Sequence, residues 1–522
     1  MLKEWNRLQI QLNTGAIDRR TFLACAAALG ITGALTRSAL AQVPKRGGHV
    51  GFGLMSAQTS DSLDPTTWRA EFMYGAGLQL YDQLVYVNEQ GRAMPALATS
   101  WETKPGAKDW IFKLRNDVTF HNGKTLTADD VVYSLNRHRL PTSKSIVKTF
   151  LSEITDIKAT SKDEISITLS SGNVDMPYLL SIIQLVVGPE GSNFTDGIGT
   201  GAFMLESFEP GVRLRVKRNP RDYRSDRGYV ESVETLAINN VQARISALLS
   251  GSVHVISNVD PSVAATIEAN PEMQIFNVAG GGHAVFVMQS DSSPFDNADL
   301  RLAMKYAIDR ENLLKAERGY AKLGNDHPVP SYDPLYAADI PQRNFDPEKA
   351  KFHYQKSGHS GPITLHVADV AMPRNAVEMS QLFQASAAKA GINLQVNRVP
   401  NDGFWDNVWM RRPLTAASWS GRATADIVLT TQFKSDSAQN ESRWRRPKFD
   451  QLLLASRSEV DLAKRKQMYH DLQVMLHEEG GSVIPLFFNT IDAGSRKVKG
   501  FVPHPVARIG AYRAPERIWL DS

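Results

Sequence analysis

Trp110, Phe112 and Leu114 alternate with Ile111, Lys113 and Arg115, the two-residue period of a strand with one better-buried face. The same alternation returns at Ile165, Ile167 and Leu169. Between these strands, Asn122-Gly123 is a turn dipeptide, because both residues tolerate positive φ. Thr127 with Asp130 three residues on is a capping-box variant that opens a helix and puts acid at its positive end. Farther along, Leu300, Ala303, Met304, Ala307 and Ile308 fall on one helical face. A helix over 243–251 ends at Gly251, and another over 382–390 is closed by Gly391 before Ile392, Leu394 and Val396 alternate. Helix, glycine stop and strand is the rhythm of an α/β lobe. Phe286-Val287-Met288-Gln289 reads as a strand, and Gly280-Gly281-Gly282-His283 just before it as a flexible turn.

At 522 residues the chain is too long for one ordinary domain, so two or three lobes are expected. The N-terminus changes the picture of its destination. Asp18-Arg19-Arg20-Thr21-Phe22-Leu23 leads into an apolar, alanine-rich run that ends at Ser38-Ala39-Leu40-Ala41. Charge, a short apolar core and small residues Ala39 and Ala41 at the exit form a secretory signal, too short to span a membrane. The pair Arg19-Arg20 resembles the twin-arginine export signal, and places the mature protein in the periplasm; the competing reading is a buried amphipathic helix. Cys25, the only cysteine, lies in this segment, so the mature chain has neither disulfide nor thiolate chemistry. Removing residues 1–41 leaves 54 basic and 53 acidic side chains. A net charge of +1 argues against nucleic acid or an anionic membrane as the main partner.

The long block Met94-Pro95-Ala96-Leu97 through Trp110–Arg115 and Phe120-His121-Asn122-Gly123 to Val131-Val132 resembles the signature region of the family 5 bacterial extracellular solute-binding proteins. Further matches are Ser62-Leu63-Asp64-Pro65, Leu80-Tyr81-Asp82, Arg218-Asn219-Pro220 with Tyr223, and Tyr306–Arg310. Gly197–Phe203 resembles that family's Gly-Thr-Gly-Pro-Phe motif with Ala202 in place of proline, and lacks the Gly-Lys-Ser/Thr of a phosphate loop. The resemblance covers nearly all of 48–522 and is weakest over 323–357. It implies an α/β, two-lobed periplasmic binding protein of type II (cluster C) with an inserted third subdomain. The implied segments are a signal at 1–41, lobe I at 42–84, 196–284 and 491–522, the inserted subdomain at 85–195, and lobe II at 285–490. It further implies a monomer that takes a short peptide or peptide-like solute, delivers it to an ABC permease in the inner membrane, and uses no cofactor.

Such proteins close two lobes over a ligand. Trp419-Ser420-Gly421-Arg422 has the composition of a cleft loop: an indole for flat contact and a glycine for close backbone approach. In peptide-binding relatives the loop commonly reads Trp-x-x-Asp, and its Asp grips the peptide ammonium. Arg422 stands at that position. A guanidinium suits a carboxylate or phosphate and repels an ammonium, which favours an anionic non-peptide such as an opine or sugar-acid conjugate. The alternative is an ion pair between Arg422 and Asp426. Trp405 and Trp409 share one face if helical, serving the core or, second, the cleft wall, and Arg411-Arg412 reads as a solvated pair.

Enzyme readings find little support. His477-Glu478-Glu479 lacks the second histidine of a zinc-protease helix, and there is no Gly-x-Ser-x-Gly elbow. The scattered histidines give no metal spacing. The expectation is a binding protein with no catalytic residues and no metal, and a secreted hydrolase is the remote alternative.

Overall fold

The structure is a computed structural model and describes residues 44–521. Arg19, Arg20, Ala39 and Ala41, on which the export reading rests, lie outside the described residues. The strand at Asp109–Leu114 buries Trp110, Phe112 and Leu114 and is paired on both sides, with Ala98–Thr103 and Glu164–Leu169. With Ile154–Ser161 outside the latter, these make a four-stranded antiparallel sheet. At the Asn122-Gly123 turn, Phe120 N–H bonds Lys124 O at 2.8 Å. The helix Ala128–Arg139 then starts as the capping box predicts, with Thr127 N–H and hydroxyl both donating to Asp130 Oδ2.

A larger sheet of twelve strands runs through the rest of the described residues. Its middle is the long strand Met273–Met288 hydrogen-bonded to Leu486–Ser495. On one side lie Leu414–Trp419, Ile363–Val367 and Leu394–Arg398, and on the other Val255–Ile256, His49–Leu54 and Ser232–Ala237. Of the parallel pairs, Ile363–Val367 and Leu394–Arg398 are joined through one helix, the crossover of α/β sheets, whereas the four-stranded sheet is inserted between His49–Leu54 and Ser232–Ala237. The apolar face of Ala298–Ala307 is fully buried with the flanking Ile308. Two sequence expectations change. The helix expected from 382 spans Ala376–Ala388. The glycine run 280–282, expected as a turn, lies inside Met273–Met288 as a register shift between Val278 and Gly282. Apolar cores gather largely over 84–187, over 284–488, and in a third cluster that joins 50–81, 186–255 and 498–518.

Two packing features tie distant segments together. Arg227, fully buried, donates to Asp82 (2.8 and 2.9 Å), Asp222 (2.7 and 2.9 Å) and Glu516 (2.8 Å). Arg513 completes the network through Glu516 and Gln83. The Gly197–Ala202 loop lies against the end of the helix Glu71–Leu80, where a Cβ at Gly199 would stand 2.1 Å from Leu80 O. Backbone cannot yield there as a side-chain tip would, so Gly199→Ala is expected to cost about 1–3 kcal/mol in urea unfolding; an unchanged midpoint contradicts the packing.

Candidate functional site

Strand Leu414–Trp419 runs antiparallel to 283–288 and ends with Trp419 opposite His283. The chain beyond it crosses the glycine bulge at very close range. A Cβ on Gly281 would lie 2.2 Å from Tyr332 Oη and 3.3 Å from Gly421 Cα, and one on Gly282 would lie 3.2 Å from Trp419 O. The absence of side chains lets the loop and strand touch. His283 is buried there, its ring held neutral by desolvation down to about 4.

Trp419, Ser420 and Gly421 line a cavity of about 410 Å³. Its floor is strand 488–491, and its other walls are the 370–374 segment, Asn258 and the 505–508 turn. Asn489 Oδ1 is buried on that floor with no hydrogen-bond partner. Among the described residues the charged side chains lining the cavity are Arg374 and Arg508, with no Asp or Glu. Arg374 Nε is fixed by Glu317 at 2.6 Å, Nη2 donates to Tyr320 O, and the guanidinium lies 4.9 Å from the Phe488 ring centroid. Arg508 Nη1 donates to Glu71 at 3.1 Å. Each arginine is thus oriented by a carboxylate behind it, the way a second layer of groups aims a binding residue.

The wall beyond Arg508 is strained. Ile509, Gly510, Ala511 and Tyr512 all have φ between 53° and 63°, a left-handed turn that L-residues avoid at about 1–2 kcal/mol each. Asp492, on the strand Leu486–Ser495, accepts the Ile509 N–H at 2.6 Å and the Asn258 N–H at 3.3 Å. Burial pushes Asp492 up to about 7 against those hydrogen bonds.

Arg422 is separated from this cavity. It lines a neighbouring one of about 580 Å³, whose lining also holds Ile146, Phe150 and Arg457 and the carboxylates Glu153, Asp426 and Asp436. Burial lowers its pKa, its Nε has no acceptor, and no acidic partner is found for it among the described residues. The pairing with Asp426 is not formed. Asp426 instead faces Arg457 at 3.2 Å and Tyr469 at 3.3 Å.

Trp405 and Trp409 do not share a helix face, because the helix Phe404–Asn407 ends between them. Trp405 is 44% exposed and meets Trp409 edge-on at 5.5 Å. Trp409 packs on two apolar clusters, and neither residue lines the 410 Å³ cavity. Sequence reasoning missed Arg374, Arg508, Asp492 and Glu441. Glu441 is buried and takes one indole N–H on each oxygen, from Trp419 at 2.7 Å and Trp409 at 2.6 Å. None of these four belongs to a local pattern that marks it. No set of three or more His, Cys, Asp or Glu placed to hold a metal occurs among the described residues, nor any helix long and apolar enough to cross a membrane.

Residues 92–441 match the family described as bacterial extracellular solute-binding proteins, family 5 Middle. The dipeptide-binding protein of Escherichia coli K12 is 22% identical, over 87% of this chain and 92% of that one. HbpA2 from Haemophilus parasuis shares the fold at a TM-score of 0.80 and 20% identity, covering 91% of this chain and 100% of that one. AgaA from A. tumefaciens R10, solved with agropinic acid, gives 0.73 and 24%, covering 91% and 99%. A two-lobe-type α/β fold and a family match over most of its length lead to one conclusion: this chain belongs to the bacterial extracellular solute-binding proteins of family 5.

Proposed function

We propose that the protein is the periplasmic substrate-binding subunit of an ABC importer, exported by its twin-arginine signal, that captures a short peptide-like solute by a carboxylate and hands it to an inner-membrane permease. The observation that carries the ligand class is the charge of the cleft: among the described residues Arg374 and Arg508 line the cavity, and no acid does. A desolvated ammonium against two guanidiniums costs several kcal/mol, whereas a carboxylate gains charge-assisted hydrogen bonds. Trp419 would cover the solute's flat or apolar part, Ser420 and Gly421 would add polar contacts, and Asn489 Oδ1 would accept a ligand N–H. Closure would swing the lobes about the strands Met273–Met288 and Leu486–Ser495. The cycle is non-covalent: bind, close, dock, release.

A second reading rests on Arg422, a largely buried guanidinium with no acidic partner among the described residues. There the anion of an opine-like or sugar-acid solute would sit in the neighbouring cavity, and the agropinic acid held by AgaA is chemistry of that kind. Arg422→Asp separates the readings. With Ala-Ala, Ala-Glu and agropinic acid as probes in a thermal-shift assay, the first reading expects the variant to keep the wild-type ranking and affinities within about threefold. Loss of the acidic probes at 10 times their wild-type dissociation constant would move the anion to Arg422. A probe at 100 times its dissociation constant stabilises by about 2.7 kcal/mol, well within reach of the assay.

A further inference from the structure

Trp419 is the cleft's aromatic wall in the reading above, and its orientation is set from behind by a group remote in sequence. Glu441 is 3% exposed, and its two oxygens accept from two different indoles, Trp419 Nε1 at 2.7 Å and Trp409 Nε1 at 2.6 Å. The two rings meet edge-on at 6.4 Å. Among the described residues no cation is paired with this carboxylate. Arg443, two residues on, turns its guanidinium to Met410 O and towards Asp291. Asp406, Arg411 and Arg412 on the segment carrying Trp409 are exposed. His283, opposite Trp419 in the strand pair, turns to Gly281 O and the Phe487 ring. Arg422, three residues beyond Trp419, lines the other cavity. Among the described residues none of these groups bonds Glu441.

We propose that Glu441 is a positioning residue of the binding cleft: its ionised carboxylate clamps both indoles, and uptake of one proton there frees one of them and loosens Trp419 in the cleft wall. The chemistry is one of acceptor number. An ionised carboxylate offers an acceptor oxygen to each indole N–H, while the acid turns one oxygen into a donor that competes with an indole for the same space. Desolvation pushes Glu441 up to about 7, opposed by the two indole hydrogen bonds, so the change falls near neutrality. Below that pH the cleft wall is loose, and above it the wall is set.

The proposal rests on Trp419 lining the cleft, so the test reads the clamp without a ligand. In the full chain labelled with ¹⁵N at tryptophan, the Trp409 and Trp419 indole resonances should move together between pH 5 and 9 with one midpoint near 7. In Glu441→Gln that shared titration should vanish. Trp409→Phe removes one donor and keeps the acid, so the Trp419 midpoint should rise by about half a pH unit or more; this variant decides the matter if the amide variant does not fold. Independent titrations, a shared one that survives Glu441→Gln, or an unmoved midpoint in Trp409→Phe would overturn the clamp. If the clamp holds while Trp419→Ala retains every bound solute, the placement of the ligand against Trp419 is what fails.

Discussion

Arg227→Ala is expected to lose about 3–5 kcal/mol of stability at pH 8 and to recover part of it at pH 5. The side chain is fully buried and is the shared counter-ion of Asp82, Asp222 and Glu516, carboxylates contributed by residues from three distant parts of the chain. Removing one partner from a buried ionic group costs about 3–5 kcal/mol, because the remaining charges stay desolvated and unpaired. Against a total stability of about 5–15 kcal/mol this is a large share. The pH dependence follows in sign. Burial would raise Asp82, but Arg227 and Arg513 hold it well below the usual carboxylate range, and Glu516 is likewise lowered against burial by Arg513 and Arg227. In the wild type Asp82 and Glu516 stabilise the fold above their unfolded values near 4, a contribution lost only as pH falls through their folded values, while Asp222, raised by burial despite Arg227, acts in the opposite sense. Without the guanidinium, burial dominates and their folded values rise. The variant's carboxyls then bind protons more tightly folded than unfolded, so its stability falls as pH rises. Thermal unfolding of both proteins at pH 5 and 8 checks this. A gap in Tm that is small, or that narrows towards pH 8, contradicts the network.

The second large effect is on binding. Arg374→Lys is expected to weaken capture of the solute by about 30–150-fold, equivalent to about 2–3 kcal/mol, with little change in Tm. Lysine keeps a positive charge beside Glu317, which is fully buried at its side chain, and therefore avoids stranding that acid. It loses the planar fork that can hold Glu317 on one edge and a ligand carboxylate on the other. Isothermal titration with the best acidic probe reads the affinity, and unfolding of the free protein reads the fold. Unchanged affinity would remove Arg374 from the site; a fall in Tm matching the loss of affinity would make its role structural.

Much of the fold is legible because its signals are local. The alternation at Trp110–Leu114, the Thr127–Asp130 cap and the apolar face from Leu300 to Ala307 each need only a few neighbouring residues to be read, and each is realised. Expectations fail where backbones that are distant in sequence meet. Gly280–Gly282 looks like a turn, yet glycine there serves the crossing of the 420–421 loop over a continuous strand. Trp405 and Trp409 have helical spacing, but the helix ends at Asn407 and Trp409 is claimed by an acid 32 residues away. The helix before Gly391 starts earlier than its apolar run, at Ala376, and accommodates Ser380 by bonding its hydroxyl to Ala376 O. The site is legible by half. Trp419, Ser420 and Gly421 fall on one cavity wall and Arg422 on another. Arg374 and Arg508 come from opposite ends of the 370–510 region, and a left-handed turn built from Ile509, Ala511 and Tyr512 has no propensity signal at all. The Leu80-Tyr81-Asp82 and Tyr223 motifs carry the family resemblance. Their physical role, one buried ion network, emerges only when Arg227 brings them together.

The most direct test of the central claim, that the cavity between Trp419 and the two arginines holds a carboxylate-bearing solute, is native mass spectrometry of protein taken from the periplasm of its own host. Closure over a ligand favours its retention through isolation. The account predicts one or a few small acidic adducts on the wild type, diminished at least tenfold in Arg374→Lys and in Trp419→Ala and retained in Arg422→Asp. An adduct without a carboxylate, or one kept in full by the Arg374 and Trp419 variants and lost from Arg422→Asp, would contradict it.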